Sequence, residues 1–271
     1  MSVDPSLRTL DVQLPASPRA LMEVASLMAL DDVSVQSLAT VIETDMALAA
    51  AVVRTVNSAM FGVLRRVETV AEAVMLLGLR DVAAITLEAG LRDKFPATPA
   101  ITQLWEAARL RGLLMGRVAK SLNVHAWRAQ SAGLFAQVGQ AVLMAHKPEA
   151  YASLSQTMGP QVTPAQRATA EMSAFGLDHA VLGSALCRAW GLAADVADFV
   201  RDRPLPKERW QTRPLPIKAL LCLGAVADAC MTAQDPEPVA ALYAGPASLD
   251  AAQVCEEMQS QWLRLSETAE A

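Results

Sequence analysis

Side chains able to do chemistry are sparse in this chain of 271 residues. Its three histidines, His125, His146 and His179, stand far apart, and no His-Asp doublet occurs anywhere. A hard divalent ion needs several oxygen and imidazole donors around an activated water, and one imidazole cannot hold it. The expected role of His179 is therefore a core or inter-helix hydrogen bond to a neighbour such as Glu171. His125 and His146 fall at expected helix ends, where the helix dipole favours a C-terminal cation. Ser58 and Ser131 have no His and Asp in a recognisable nucleophile arrangement, and no glycine-rich phosphate loop is present. Cys187, Cys222, Cys230 and Cys255 share no CxxC spacing and sit in helix-like sequence, so they read as buried free thiols rather than as a disulfide framework or zinc site. No cofactor is expected.

The other candidates are cations and one polar elbow. Residues 41–80 read as two helices with a joint between them. Asp45 can cap the first, whose Met46, Ala49, Ala50, Val53 and Val56 recur at helical spacing, and Asn57, Ser58 and Gly62 supply stop signals. Thr69 restarts helix, with Glu72 three residues on as a capping box, and Val70, Ala73, Val74 and Leu77 form a stripe that ends at Gly78. Asn57 is expected to be a C-cap residue whose amide pins the elbow; the functional alternative is an exposed platform. Met60 and Phe61 are core plugs or the apolar part of a partner site, with the core favoured because most such residues are buried. Arg65 and Arg66 are expected to be solvated or paired with Glu68, although adjacent arginines at a helix entrance can also receive a carboxylate or phosphate.

These positions need helices to hold them. A hydrophobic content of 53% with only 4% aromatics points to a core of Ala, Leu, Val and Met, and no alternating β-branched run competes with helix, so the fold class is all-α. No apolar run reaches the ~20 residues of a membrane span; the candidate at 214–232 is interrupted by Lys218 and Asp228. With no basic start or apolar secretory centre at the N-terminus, the expected location is cytoplasmic, without membrane insertion. A net charge of −5, no basic block and few aromatics argue against nucleic-acid binding.

In chain order, residues 1–13 read as a flexible arm, Ser17-Pro18 as a helix start, and Ser34 as the next. A helix over 81–95 completes five short helices, and Pro96 and Pro99 mark a seam between subdomains that are not expected to fold independently. Further helices are expected over 101–122, over 126–146 in one or two pieces, from Pro148 to near Gly159, from Thr163-Pro164 to Gly176, and over 179–190 behind an Asp178 cap. Four prolines make 203–216 a loop with at most one helical turn, and 217–232 and 249–265 read as two closing helices.

Asn57-Ser58-Ala59-Met60-Phe61-Gly62, then Arg65-Arg66-Val67 and Ala73 to Arg80, closely resemble the HDOD family, HD-related output domains of bacterial signalling. The resemblance runs from near Leu14-Pro15 to about residue 213. It implies a two-lobed helical bundle: a five-helix lobe (14–95) packed on an HD-like lobe (96–213), followed by a helical extension (214–271). Laid against catalytic HD relatives, Leu134 to Gly139 looks like the ligand sentence with Ala136 and Gln137 where His and Asp would be. Ala107 stands where an earlier His would be, and Val200 to Pro204 replaces later ones. Arg109, Arg111 and Arg117 would flank the old metal cleft, with His179, Arg201 and Arg203 around it. Such a cleft could hold an anionic nucleotide without cleaving it or be filled by salt bridges, and the second is favoured because charged groups are usually satisfied locally. The resemblance implies a non-enzymatic signalling module that relays through contacts with signalling or regulatory proteins, with a homodimer possible and the 57–80 elbow and closing helices as faces. A degenerate metal-dependent phosphohydrolase with residual activity and a nucleotide-sensing receptor are the alternatives.

Overall fold

The computed structural model describes residues 19–30, 32–58, 61, 63, 65–159 and 162–270, the last three of these without side chains. The expected arm at 1–13, the Ser17-Pro18 start, Met60 and Gly62 lie outside the described residues. The fold is all helical, with no strand among the described residues.

The first lobe holds α1 (Arg19–Leu27), α2 (Val35–Glu43), α3 (Met46–Val56), α4 (Val70–Leu77) and α5 (Leu79–Arg92). The caps read from sequence are the ones that act. The Ser34 hydroxyl accepts from the Ser37 N–H, and the Asp45 carboxylate accepts from the Ala47 and Leu48 N–H groups. Gly78, at φ +88°, turns α4 into α5. The capping box at Thr69 is only half formed: Thr69 accepts from the Glu72 N–H, but the Glu72 carboxylate reaches one residue further back, to the Glu68 N–H at 2.9 Å.

The second lobe opens with α6 (Pro99–Ser121), the longest helix among the described residues, followed by α7 (Ala126–Phe135), α8 (Val138–His146), α9 (Pro148–Met158), α10 (Pro164–Phe175), α11 (His179–Ala189), α12 (Ala194–Asp202) and the short α13 (Lys207–Gln211). His125 does not end a helix. It begins one, its ring nitrogen accepting from the Arg128 N–H as the α7 N-cap.

The closing part contains α14 (Leu215–Met231), α15 (Pro236–Tyr243), a single 3-10 turn (Gly245–Ala247) and α16 (Ala251–Glu270). The expected pair of closing helices is thus three. α15 starts at Pro236, where the missing N–H costs nothing, behind an Asp235 cap.

α14 packs on α6 and α12, and α16 lies along α6, α14 and α15. One continuous apolar cluster therefore runs from Ala20 to Leu265. At the seam, Phe95 is buried with its ring 5.3 Å from that of Trp105. All four cysteines are buried as free thiols.

Candidate functional site

Ala136 and Gln137 fill the bend between α7 and α8, the first as C-cap and the second as N-cap. Ala136 is buried and offers only a methyl group. Gln137 faces α6, where Arg111 lies one turn beyond the half-buried Ala107. The buried Arg111 guanidinium donates from Nη1 to Gln137 Oε1 at 2.9 Å and from Nε to Asp228 Oδ1 at 2.7 Å. The other oxygen of Asp228 accepts from Arg203 Nη2 at 2.5 Å, and Gln137 Nε2 donates to Gln140 Oε1 at 3.2 Å. Two guanidiniums on α6 and the end of α12 thus converge on one carboxylate from α14.

Burial pushes the Arg111 pKa down against the pull of Asp228. Burial also raises that of Asp228, but Arg203 and Arg111 outweigh it and hold the carboxyl below its ordinary range. The donor set does not suit a divalent cation: a methyl and an amide stand at the resembled ligand positions, and a permanent cation already fills the gap between amide and carboxylate. Among the described residues, no group of three or more His, Cys, Asp or Glu side chains could hold a metal ion.

The five residues suggested as an anion cleft separate into four settings. Arg111 and Arg203 share Asp228. Arg201 turns to Asp202 at 2.8 Å and Asp198 at 2.9 Å, where Arg213 also meets Asp202 at 2.7 Å and Arg188 meets Asp198. Arg109 faces the other way, 3.8 Å from Glu88 of α5. The reason is helical geometry. Positions 109 and 111 are two apart, as are 201 and 203, and residues so spaced project to nearly opposite sides of a helix. Arg117 is exposed.

His179 is the fourth setting. It starts α11 behind the Asp178 cap, and its backbone N–H (2.8 Å) and Nδ1 (2.5 Å) both meet Glu171 Oε2 of α10. Glu171 Oε1 accepts from the buried Tyr151 hydroxyl of α9 at 2.5 Å. Burial alone would raise the Glu171 carboxyl, but these donors hold it below the usual range, while burial and the neighbouring carboxylate push the Tyr151 phenol up. One fully buried carboxylate thus ties three helices together.

At the elbow, the Asn57 amide donates to the carbonyls of Val53 (2.9 Å) and Val67 (2.7 Å) and accepts from the Val67 N–H (2.9 Å). A single side chain clips the two sides of the joint. Phe61 is half-buried against the core, whereas Arg65 and Arg66 are exposed, without an ion pair among the described residues. On the neighbouring α4, Met75 and Leu76 are 67% and 50% exposed.

Phe61 also borders a small crevice at the seam, together with Asp81, Glu88, Arg109 and Gln130. Three polar contacts cross that seam from α5: Arg80 to the Gly116 carbonyl at 3.3 Å, Asp81 with Gln130 at 3.2 Å, and Glu88 with Arg109. Burial raises the Glu88 pKa to about 7, outweighing the nearby Arg92 and Arg109.

Sequence reading missed Asp228, Glu88 and Tyr151 as site-forming residues. Asp228 had a usable signal. It is the one carboxylate in a helix of 17 residues whose other charge is Lys218 near its start, and a carboxylate in such an apolar run requires a partner.

The HDOD domain family matches residues 14–204. An uncharacterised protein of Treponema pallidum (strain Nichols) is 29% identical over 206 residues, covering 74% of this chain, which in turn spans about two fifths of that relative (40%). A crystal structure bearing the name of a phosphohydrolase, from Shewanella amazonensis SB2B, superposes with a TM-score of 0.72 at 19% identity over 97% of both chains. A protein named for signal transduction, from Marinobacter aquaeolei VT8, gives a TM-score of 0.78 at 20% identity over 98% of this chain and 62% of its own. At these identities the two structures establish a shared fold.

Proposed function

The chain belongs to the HDOD domain family, and from that membership we propose that it is a non-catalytic, cytoplasmic signalling module that acts through contacts with regulatory proteins. One observation supports this reading: the Arg111 guanidinium is held between Gln137 and Asp228, and Gln137 is the position at which the resemblance places a metal ligand of hydrolytic relatives. Arginine cannot release a proton to make a nucleophile at neutral pH, and its charge repels an incoming metal. The elbow offers the surface for partners. Met75 and Leu76 of α4 are exposed, as are Arg65 and Arg66 ahead of it, and exposed apolar side chains together with arginines are what protein interfaces use. No helix of the described residues is long and apolar enough to cross a membrane.

Two measurements test the reading. Elemental analysis and turnover assays on cyclic dinucleotides with Mn²⁺ and Mg²⁺ should give neither stoichiometric metal nor hydrolysis; bound metal with turnover abolished in His179→Ala would overturn it. Affinity capture from the native cell should return a signalling component with the wild-type chain and lose it with the Met75→Asp, Leu76→Asp double variant.

A further inference from the structure

Beyond the matched residues 14–204 the chain adds α13 to α16, and an open groove of about 670 Å³ runs along the last two. Its wall is one face of α16, from Ala252 through Cys255, Glu256 and Leu263 to Glu267, and Glu237 of α15 borders the other side. The opposite face of α16, with Val254, Met258 and Leu265, is buried. The free face is therefore linear, and from residue 252 to 267 it extends roughly 22 Å at the helical rise. Small side chains leave room at one end, and Leu263, 61% exposed, is the apolar feature at the other.

Charge is distributed unevenly along the chain. Residues 232–271 contain seven carboxylates and one arginine, six charges negative, whereas the whole chain is only −5. The preceding 231 residues are close to neutral. Glu237, Glu256 and Glu267 place part of that excess on the groove itself, against Arg264 alone. A partner that covers Leu263 must also answer those carboxylates.

We propose that the α15–α16 groove docks a basic amphipathic helix of a partner protein, its apolar stripe on Leu263 and the small residues, its lysines or arginines on Glu237, Glu256 and Glu267. This names a partner chemistry for the protein-contact role above and rests on it. The recognition mode is helix in groove, with anchors at i, i+3, i+4 and i+7 along the partner and a rim of opposite charge that selects orientation and speeds encounter.

The test uses the whole 271-residue chain and a fluorescent peptide of about five helical turns with a leucine stripe and lysines elsewhere, together with a twin in which glutamate replaces every lysine. Anisotropy should show the lysine peptide binding and weakening as salt is raised, with no binding of the acidic twin. Affinity should fall roughly tenfold or more in Glu237→Lys, Glu256→Lys and in Leu263→Ser. A control of equal charge change in the first lobe, Glu43→Lys with Asp93→Lys, should leave it unchanged. Circular dichroism melts check that each variant is folded. An equal loss in the control, binding of both peptides, or no binding by the wild type overturns the proposal. So does sedimentation showing a dimer that Leu263→Ser dissolves, since the groove would then be an interface between copies. None of these outcomes touches the wider reading, which fails separately if metal-dependent hydrolysis is found.

Discussion

At Asp228 two guanidiniums compete for one carboxylate, and the balance is asymmetric. Removing Arg111 leaves Asp228 with Arg203, but removing Asp228 leaves two buried cations facing each other. Asp228→Ala is therefore expected to cost about 3 kcal/mol and more than Arg111→Ala, read from urea midpoints. The Asp228 carboxyl is held below its ordinary 3.8, so its contribution is complete above that pH and is lost as pH falls through the lower folded value. Glu88 behaves in the opposite sense. Between about pH 4.5 and about 7 the folded carboxyl keeps a proton that the unfolded chain has released, so stability declines as pH rises across that window and levels off above it. Glu88→Gln should flatten this slope, by at most about 3 kcal/mol; thermal melts at pH 5 and pH 8 that shift alike in variant and wild type would refute the assignment. Of these residues, His179 and its Glu171 partner were legible in the sequence because they lie eight positions apart beside a cap. The Arg111–Asp228 pair spans 117 positions, which local patterns do not encode.

Helix starts were readable because capping is local chemistry: Ser34, Asp45, Thr163 and Asp178 each bond a backbone N–H within three residues. α15 lies in the interval 233–248, to which no element was assigned, and its signal was Asp235 ahead of Pro236, since proline in a first turn removes only an N–H that has no helical partner. What no cap reveals is how closely helices cross. A Cβ added at Gly139 of α8 would stand 2.0 Å from the His179 carbonyl oxygen and 2.6 Å from the Gly183 nitrogen, both of α11. At the crossing of α6 and α7, a Cβ at Gly133 would come within 2.7 Å of the Gly112 Cα. These contacts are backbone on backbone, so neither side can yield by changing rotamer. Gly139→Ala should cost about 3 kcal/mol. Gly245→Ala, with nothing within 4 Å, should change stability by less than about 0.5 kcal/mol in the same denaturation experiment.

For the molecule as a whole, the all-α class and the five-helix first lobe follow from periodicity and punctuation, whereas the continuity of the core does not. α14 brings Leu220, Leu223 and Val226 into the interior and Asp228 to Arg111, and Gly224 sits under the Phe199 ring. A chain ended at residue 213 would expose that surface and leave Arg111 and Arg203 unpaired. It should show no cooperative thermal transition, and a sharp two-state melt of the shortened chain would mean that the closing helices are dispensable. The buried thiols have a use of a different kind. Burial raises the pKa of Cys222 to about 12 and of Cys230 to about 11, and pushes Cys187 up as well, so the intact fold conceals its sulfurs from alkylating reagents. Each sulfur then acts as a clock for the helix that carries it: α16 at Cys255, near the edge, should be labelled soonest, and α11 at Cys187 should wait for the whole bundle to breathe open.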